Sequence, residues 1–150
     1  MDRKSPNRTL KAVALSTCVI SGFATASLAE DVVKTRQASM DQIRMGAATL
    51  VPMIKGDAEF DAQVADLALR MTYAGAMAFE GKFPEGSTSR GANPAIWENK
   101  ADFDAKVLDF IADAEAAVAL KPMDLEALKA AYQPLLKDCA ACHKAYRIKN

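Results

Sequence analysis

The sequence predicts an all-α protein, an antiparallel four-helix bundle, on three observations. Apolar residues recur at alternating spacings of three and four throughout residues 30–150, helix-ending and helix-starting residues divide that pattern into four segments, and no segment alternates as a strand would. At 150 residues the chain is most simply one domain, long enough to bury a core of ordinary size. Apolar residues make up 51% and charged residues 25%, the balance of a globular protein.

Residues 1–29 stand apart from this pattern. MDRKSPNRTLK is a positive opening, AVALSTCVISGFATA is an apolar run, and Ser27-Leu28-Ala29 supplies the small residues that a signal peptidase reads. The run is shorter than the roughly 20 residues needed to span a bilayer. It therefore reads as a signal peptide cleaved after Ala29, not as an anchor, and Thr17 before Cys18 is a poor fit to a lipoprotein site. The expectation is export to the periplasm of a domain spanning residues 30–150, without stable membrane insertion. Arg3, Lys4, Arg8, Lys11 and Asp2 leave with the leader, so 19 basic and 19 acidic residues become 15 and 18, a net charge of −3. A mildly acidic domain with no basic stripe is not a nucleic-acid binder.

The first helical stripe is Val33, Arg36, Met40, Ile43, Ala47, Leu50 and Ile54, closed by Lys55-Gly56-Asp57, with Asp57 offered as N-cap of the second helix. The second stripe is Phe60, Val64, Leu67, Met71, Ala74 and Ala78, followed by the one long loop, residues 81–94, GKFPEGSTSRGANP. Asn93-Pro94 reads as an N-cap with proline at the first helical position. The third stripe is Phe103, Val107, Phe110, Ala114 and Ala117, ended by Lys121-Pro122. Asp124 then caps the fourth helix, with Leu125, Leu128, Tyr132, Leu135, Cys139, Cys142 and Tyr146 on its seam. Pro52 and Pro134 inside helical stretches are expected to kink them. Several seam positions are small (Ala47, Ala74, Ala78, Ala114, Ala117), and Gly46 and Gly75 lie mid-helix. Either they leave room for a group at the bundle axis or they let helices approach closely.

The chain ends KDCAACHKAYRIKN, where the sole histidine follows a pair of cysteines. Cys18 leaves with the leader, so Cys139 and Cys142 are the only thiols of the exported domain, in a compartment that does not keep thiols reduced. A dithiol redox pair belongs at the start of a helix that follows a strand, and no strand is predicted here. Zinc needs four protein ligands, or three and a water, whereas the domain offers two thiols and one imidazole. A covalently bound haem fits. Each helical residue advances about 100°, so Cys142 and His143 fall on the same side as Cys139, with two sulfurs for the porphyrin edge and an imidazole for the iron.

The chain resembles the class II c-type cytochromes, the relatives of cytochrome c-prime, which carry CxxCH near the end of the chain on the last helix of a four-helix bundle. The residues that carry the resemblance are Arg36-Gln37-Ala38, Ile96-Trp97 and Cys139-Ala-Ala-Cys142-His143-Lys-Ala-Tyr146-Arg147, spread over the whole domain. It implies one haem c, thioether-linked to Cys139 and Cys142 with His143 as proximal ligand, and a distal residue at Met40, four places after Arg36. Helical angle agrees: Met40 shares the inward stripe, whereas Met45 and Met53 lie about 140° and 220° around from it. Arg36, a guanidinium on an apolar seam, would be costly to bury without a partner. Haem propionates would supply one, and the family points to the same role, with Arg147 as a second candidate. Tyr146 and Trp97 are expected to pack rather than to react.

The expected function is that of a periplasmic, monohaem, one-electron carrier with His143 and Met40 on a six-coordinate, low-spin iron. It is not an enzyme, it serves redox partner proteins, and it is a monomer or homodimer. The alternative, which would hold if Met40 did not ligate, is a five-coordinate, high-spin protein that binds nitric oxide or carbon monoxide.

Overall fold

The computed structural model describes residues 23–148, with side chains from residue 30 onward. The described residues form helices α1 (Phe23–Lys55), α2 (Ala62–Phe79), the single turn α3 (Ala95–Glu98), α4 (Lys100–Leu120) and α5 (Leu125–Tyr146). The four long helices pack around one axis, α1 against α2, α2 against α4, α4 against α5, and α5 back against α1. This is the expected four-helix bundle. The expected leader lies outside the described residues up to residue 22, and residues 23–29 continue α1 as helix.

Local chemistry sets the ends. Gly56, at φ 81°, closes α1, its N–H donating to the Met53 carbonyl at 3.1 Å while that of Asp57 donates to Pro52 at 2.9 Å. The cap of α2 is Asp61 rather than Asp57: in extended backbone, its carboxylate accepts the N–H groups of Gln63 and Val64 at 2.8 and 2.9 Å. Asp124 caps α5 as expected, accepting the Ala127 N–H at 2.8 Å. The third helix is split. Asn93 accepts the Ala95 N–H at 3.0 Å and starts α3, but Asn99 leaves helical geometry at φ −123° and ψ 46°, so that α4 begins afresh at Lys100. Pro52 and Pro134 are carried inside continuous α1 and α5.

The predicted face of α2 is wrong. Val64 and Leu67 are exposed, as are Ala74 and Ala78, while Ala65, Ala68, Leu69, Thr72, Gly75 and Ala76 are buried. Close contact with α1 decides the rotation. A Cβ on Gly75 would lie 2.8 Å from Ile43 Cγ1 and 3.0 Å from the Ser39 carbonyl oxygen, and one on Gly46 would collide with the Thr72 hydroxyl. The two mid-helix glycines thus serve backbone approach, not axial space. Larger side chains at 64 and 67 could not enter that contact, so the stripe with better hydrophobicity turns outward.

The core falls into two clusters. At one end Leu50, Met53, Leu69, Leu128, Tyr132 and Leu135 close the bundle completely around buried alanines. Met53 is therefore inward as well, contrary to the angular reading, because α1 is buried over more than one stripe. At the other end Phe83, Ile96, Phe103, Val107, Ile111 and Tyr146 form an aromatic-rich wall, with Phe103 edge-on to Phe83 at 4.6 Å and to Tyr146 at 5.2 Å. Truncating Leu69, 1% exposed, to Ala is expected to cost about 2–5 kcal/mol. Truncating Leu67, 59% exposed, should stay within about 0.5 kcal/mol. Denaturant unfolding of the two variants measures the rotation of α2 directly.

Candidate cofactor site

Beyond the aromatic wall the bundle does not close. The last turns of α5 pack on α4 through Tyr146 and Cys142 but face α1 across a cavity of about 660 Å³, a size suited to a cofactor. Cys139, Cys142 and His143 all open onto it, as their helical spacing predicts, and Met40 of α1 opens onto it as well. Arg36 and Arg147 line the same cavity. The structure therefore places all six candidate haem-binding residues on one cavity. Phe79 and Phe83 supply apolar surface.

The thiols are free. Burial, reinforced by the neighbouring Asp138 carboxylate, pushes the Cys139 thiol up to about 11, and burial pushes Cys142 in the same direction. Both shifts favour the neutral thiol. Among the described residues no group of three or more His, Cys, Asp or Glu side chains is placed to hold a bare metal ion. Burial, with the Arg147 charge second, lowers the His143 pKa and favours the neutral imidazole that ligates metals. Two thiols and a neutral imidazole on one helix face, apolar walls and a thioether from another helix are a donor set that fits haem c.

The long loop forms part of the wall. Its Ala92 makes an antiparallel bridge with Arg147, the Asn93 N–H donates to the Tyr146 carbonyl at 3.0 Å, and the Ile148 N–H donates to Gly91 at 3.1 Å. The Trp97 indole N–H donates to the Pro84 carbonyl at 3.0 Å, fixing the loop from the α3 side. Arg36 holds it from α1. This side chain is 3% exposed, its guanidinium stacks 4.7 Å from the Phe83 ring centroid, and it donates to the Ser87 carbonyl at 2.6 Å, the Ser87 hydroxyl at 3.2 Å and the Lys82 carbonyl at 3.4 Å. The partner that the apolar seam does not offer Arg36 is supplied by the loop, which presents three acceptors. Sequence reasoning missed Phe83 and Ser87 because an irregular loop carries no periodic signal. Phe83, an aromatic between Lys82 and Pro84, was the one available hint.

Comparison with known proteins follows the same lines. The sequence profile of the family described as cytochrome C' matches residues 31–147. The chain belongs to the cytochrome c' family. It is 40% identical over 119 residues to a cytochrome c-556 of Agrobacterium tumefaciens, covering 79% of this chain and 98% of that one. It is 34% identical over 133 residues to a cytochrome c' of Rhodopseudomonas palustris, covering 87% and 89%. Cytochrome c prime from Shewanella frigidimarina superposes with a TM-score of 0.76 at 29% identity, over 81% of this chain and 97% of that one. The nitric oxide complex of a mutant of cytochrome c prime from Alcaligenes xylosoxidans superposes at 0.74, also at 29% identity, over the same shares. Cytochrome c' is itself a standard instance of the up-and-down bundle. Like its family, the chain binds one haem c covalently and is a haem protein of electron transport or gas binding rather than an enzyme. No helix of the described residues is long and apolar enough to cross a membrane.

Replacing Arg36 by Ala strands the Ser87 and Lys82 carbonyls beneath the loop. The expected cost is about 1–3 kcal/mol, with proteolytic nicking and amide exchange rising in residues 82–90 before any loss of helix.

Proposed function

We propose that this cytochrome c'-family protein is a periplasmic one-electron carrier, exported by cleavage after Ala29, in which His143 and Met40 are the axial ligands of a haem bonded through Cys139 and Cys142. The observation that carries this reading is that a thioether on α1 opens onto the same cavity as the two thiols and the imidazole of α5. When bound, the haem supplies the one-electron couple. The chain's residues hold, orient and tune it. Met40, as a soft ligand, would favour the reduced state and raise the potential. Two fixed protein ligands would keep the geometry similar in both oxidation states, and Phe79 and Phe83 would offer the haem apolar surface.

Arg147 lies exposed at the cavity edge, a position suited to a propionate. Arg36, already donating to the loop, has its Nε and one Nη2 hydrogen left for a second propionate. The partners are other redox proteins. Val64, Leu67 and Met77 of α2, with Met45 of α1, are exposed apolar side chains that support a homodimer over a monomer.

A second reading has its own support. Nitric oxide is bound in complexes of mutants of the Alcaligenes xylosoxidans neighbour, which favours gas binding at a five-coordinate iron if Met40 stays unligated. That comparison supports gas binding more directly than any comparison supports electron transfer, whose case rests on Met40. Absorption spectra of the reduced holoprotein separate the two. A sharp low-spin pattern indifferent to carbon monoxide is expected, and Met40→Ala should convert it to a high-spin spectrum that shifts with the gas. A parent protein already high-spin and gas-responsive would establish the second reading.

A further inference from the structure

Asp138 is a carboxylate that the assigned site does not use. It stands on α5 one residue before Cys139, half-buried, and lines a smaller cavity of about 50 Å³ shared with Met40, Cys139, Cys142 and His143. That volume is ample for a water molecule. Its Oδ2 is closed off from solvent and accepts no hydrogen bond from a protein donor; the group set to share a proton with it is another carboxyl, that of Asp113.

The groups that face Asp138 do not neutralise it. From α4 come Asp113 and Asp109, both acidic. Lys137 precedes it on α5, and Lys106 of α4 borders the same small cavity but is paired with Asp102 at 3.2 Å. Met40 and Ile43 of α1 and Phe79 of α2 bring no charge. Burial first, and the Asp113 carboxylate second, raise Asp138 to about 6. Two neighbouring carboxylates in a poorly solvated place cannot both ionise freely. An electron added to the adjoining cavity brings one more unit of negative charge to the same neighbourhood.

We propose that Asp138 is the proton acceptor coupled to one-electron reduction of the protein: as one electron arrives from a one-electron donor, Asp138 Oδ2 takes one proton from solvent through the small cavity. On oxidation the electron passes to an acceptor and the proton returns to solvent. The inference rests on the reading that a reversibly reduced haem occupies the larger cavity, and not on Met40 as its ligand. Coupling is reciprocal, so protonation of Asp138 favours the reduced state. The reduction potential must then fall as pH rises between the oxidised-state and reduced-state pKa values of Asp138, and level off on either side.

The test is the midpoint potential of the purified holoprotein, read from its absorption spectrum with redox mediators, from about pH 4 to about pH 8. The parent should show a sloping window that approaches 59 mV for each tenfold change in proton activity. Asp138→Asn, which keeps shape and removes the titration, should be flat, at the value the parent reaches at the acid end, with an unchanged spectrum. Asp113→Asn removes a like charge and should move the sloping window to lower pH. An unaltered slope in Asp138→Asn, or a parent flat throughout, overturns the proposal. If Asp138→Asn does not accumulate as holoprotein, an unmoved window in Asp113→Asn overturns it equally. A protein without covalent haem or without a reversible couple overturns the cofactor reading beneath it, an outcome distinct from a reversible couple without pH dependence.

Discussion

Between α1 and the last three turns of α5 this bundle does not close on its own side chains, and the rest of the structure is arranged around that gap. An apolar surface facing a space of about 660 Å³ lacks the packing contacts that stabilise an interior. A rigid, largely apolar macrocycle restores them. Fastened through Cys139 and Cys142, as we propose, the cofactor would become part of the chain, and the helix that carries the thiols would also be the helix whose packing it completes.

The two ends of the molecule divide the work. At the closed end, small residues bring α1 and α2 backbones into contact, and leucines 50, 69, 128 and 135 fill the axis without help. At the open end the loop of residues 81–94, pinned by Arg36, Trp97 and the bridge to Arg147, adds a wall that four helices alone would not supply. Arg36 is tied to the loop by hydrogen bonds from a buried cation, which are stronger than neutral ones. The same side chain therefore positions Phe83 and the edge of the cavity together.

Much of this was legible in the sequence, for identifiable reasons. The spacing Cys139, Cys142, His143 survives translation into structure because it depends only on helical angle, and helical angle is local. Met40 came from the family resemblance, with helical angle in agreement, although the same angle wrongly turned Met53 outward. The face of α2 was not, because hydrophobicity ranked Val64 and Leu67 above Gly75 and Thr72, while the structure ranked closeness of approach above hydrophobicity. Tertiary contact overrode the pattern there, as it overrode Asp57 in favour of Asp61 as the cap. The partners of Arg36 lay in a loop, where sequence period is silent. Asp138 was passed over because nothing in KDCAACH marks an aspartate as facing two others on a different helix.

Those omissions share a cause with the site's chemistry. A motif records what must be covalently placed, and thus marks attachment and ligation. It does not record the electrostatic surroundings, which come from residues distant in sequence: Asp109 and Asp113 from α4, Ser87 from the loop, Phe79 from α2. In a low-dielectric interior such groups act over several ångströms with little screening. Two members of one family can therefore share CxxCH and a bundle, yet differ in how firmly they hold an electron. What distinguishes this chain is sought in the side chains that surround the motif.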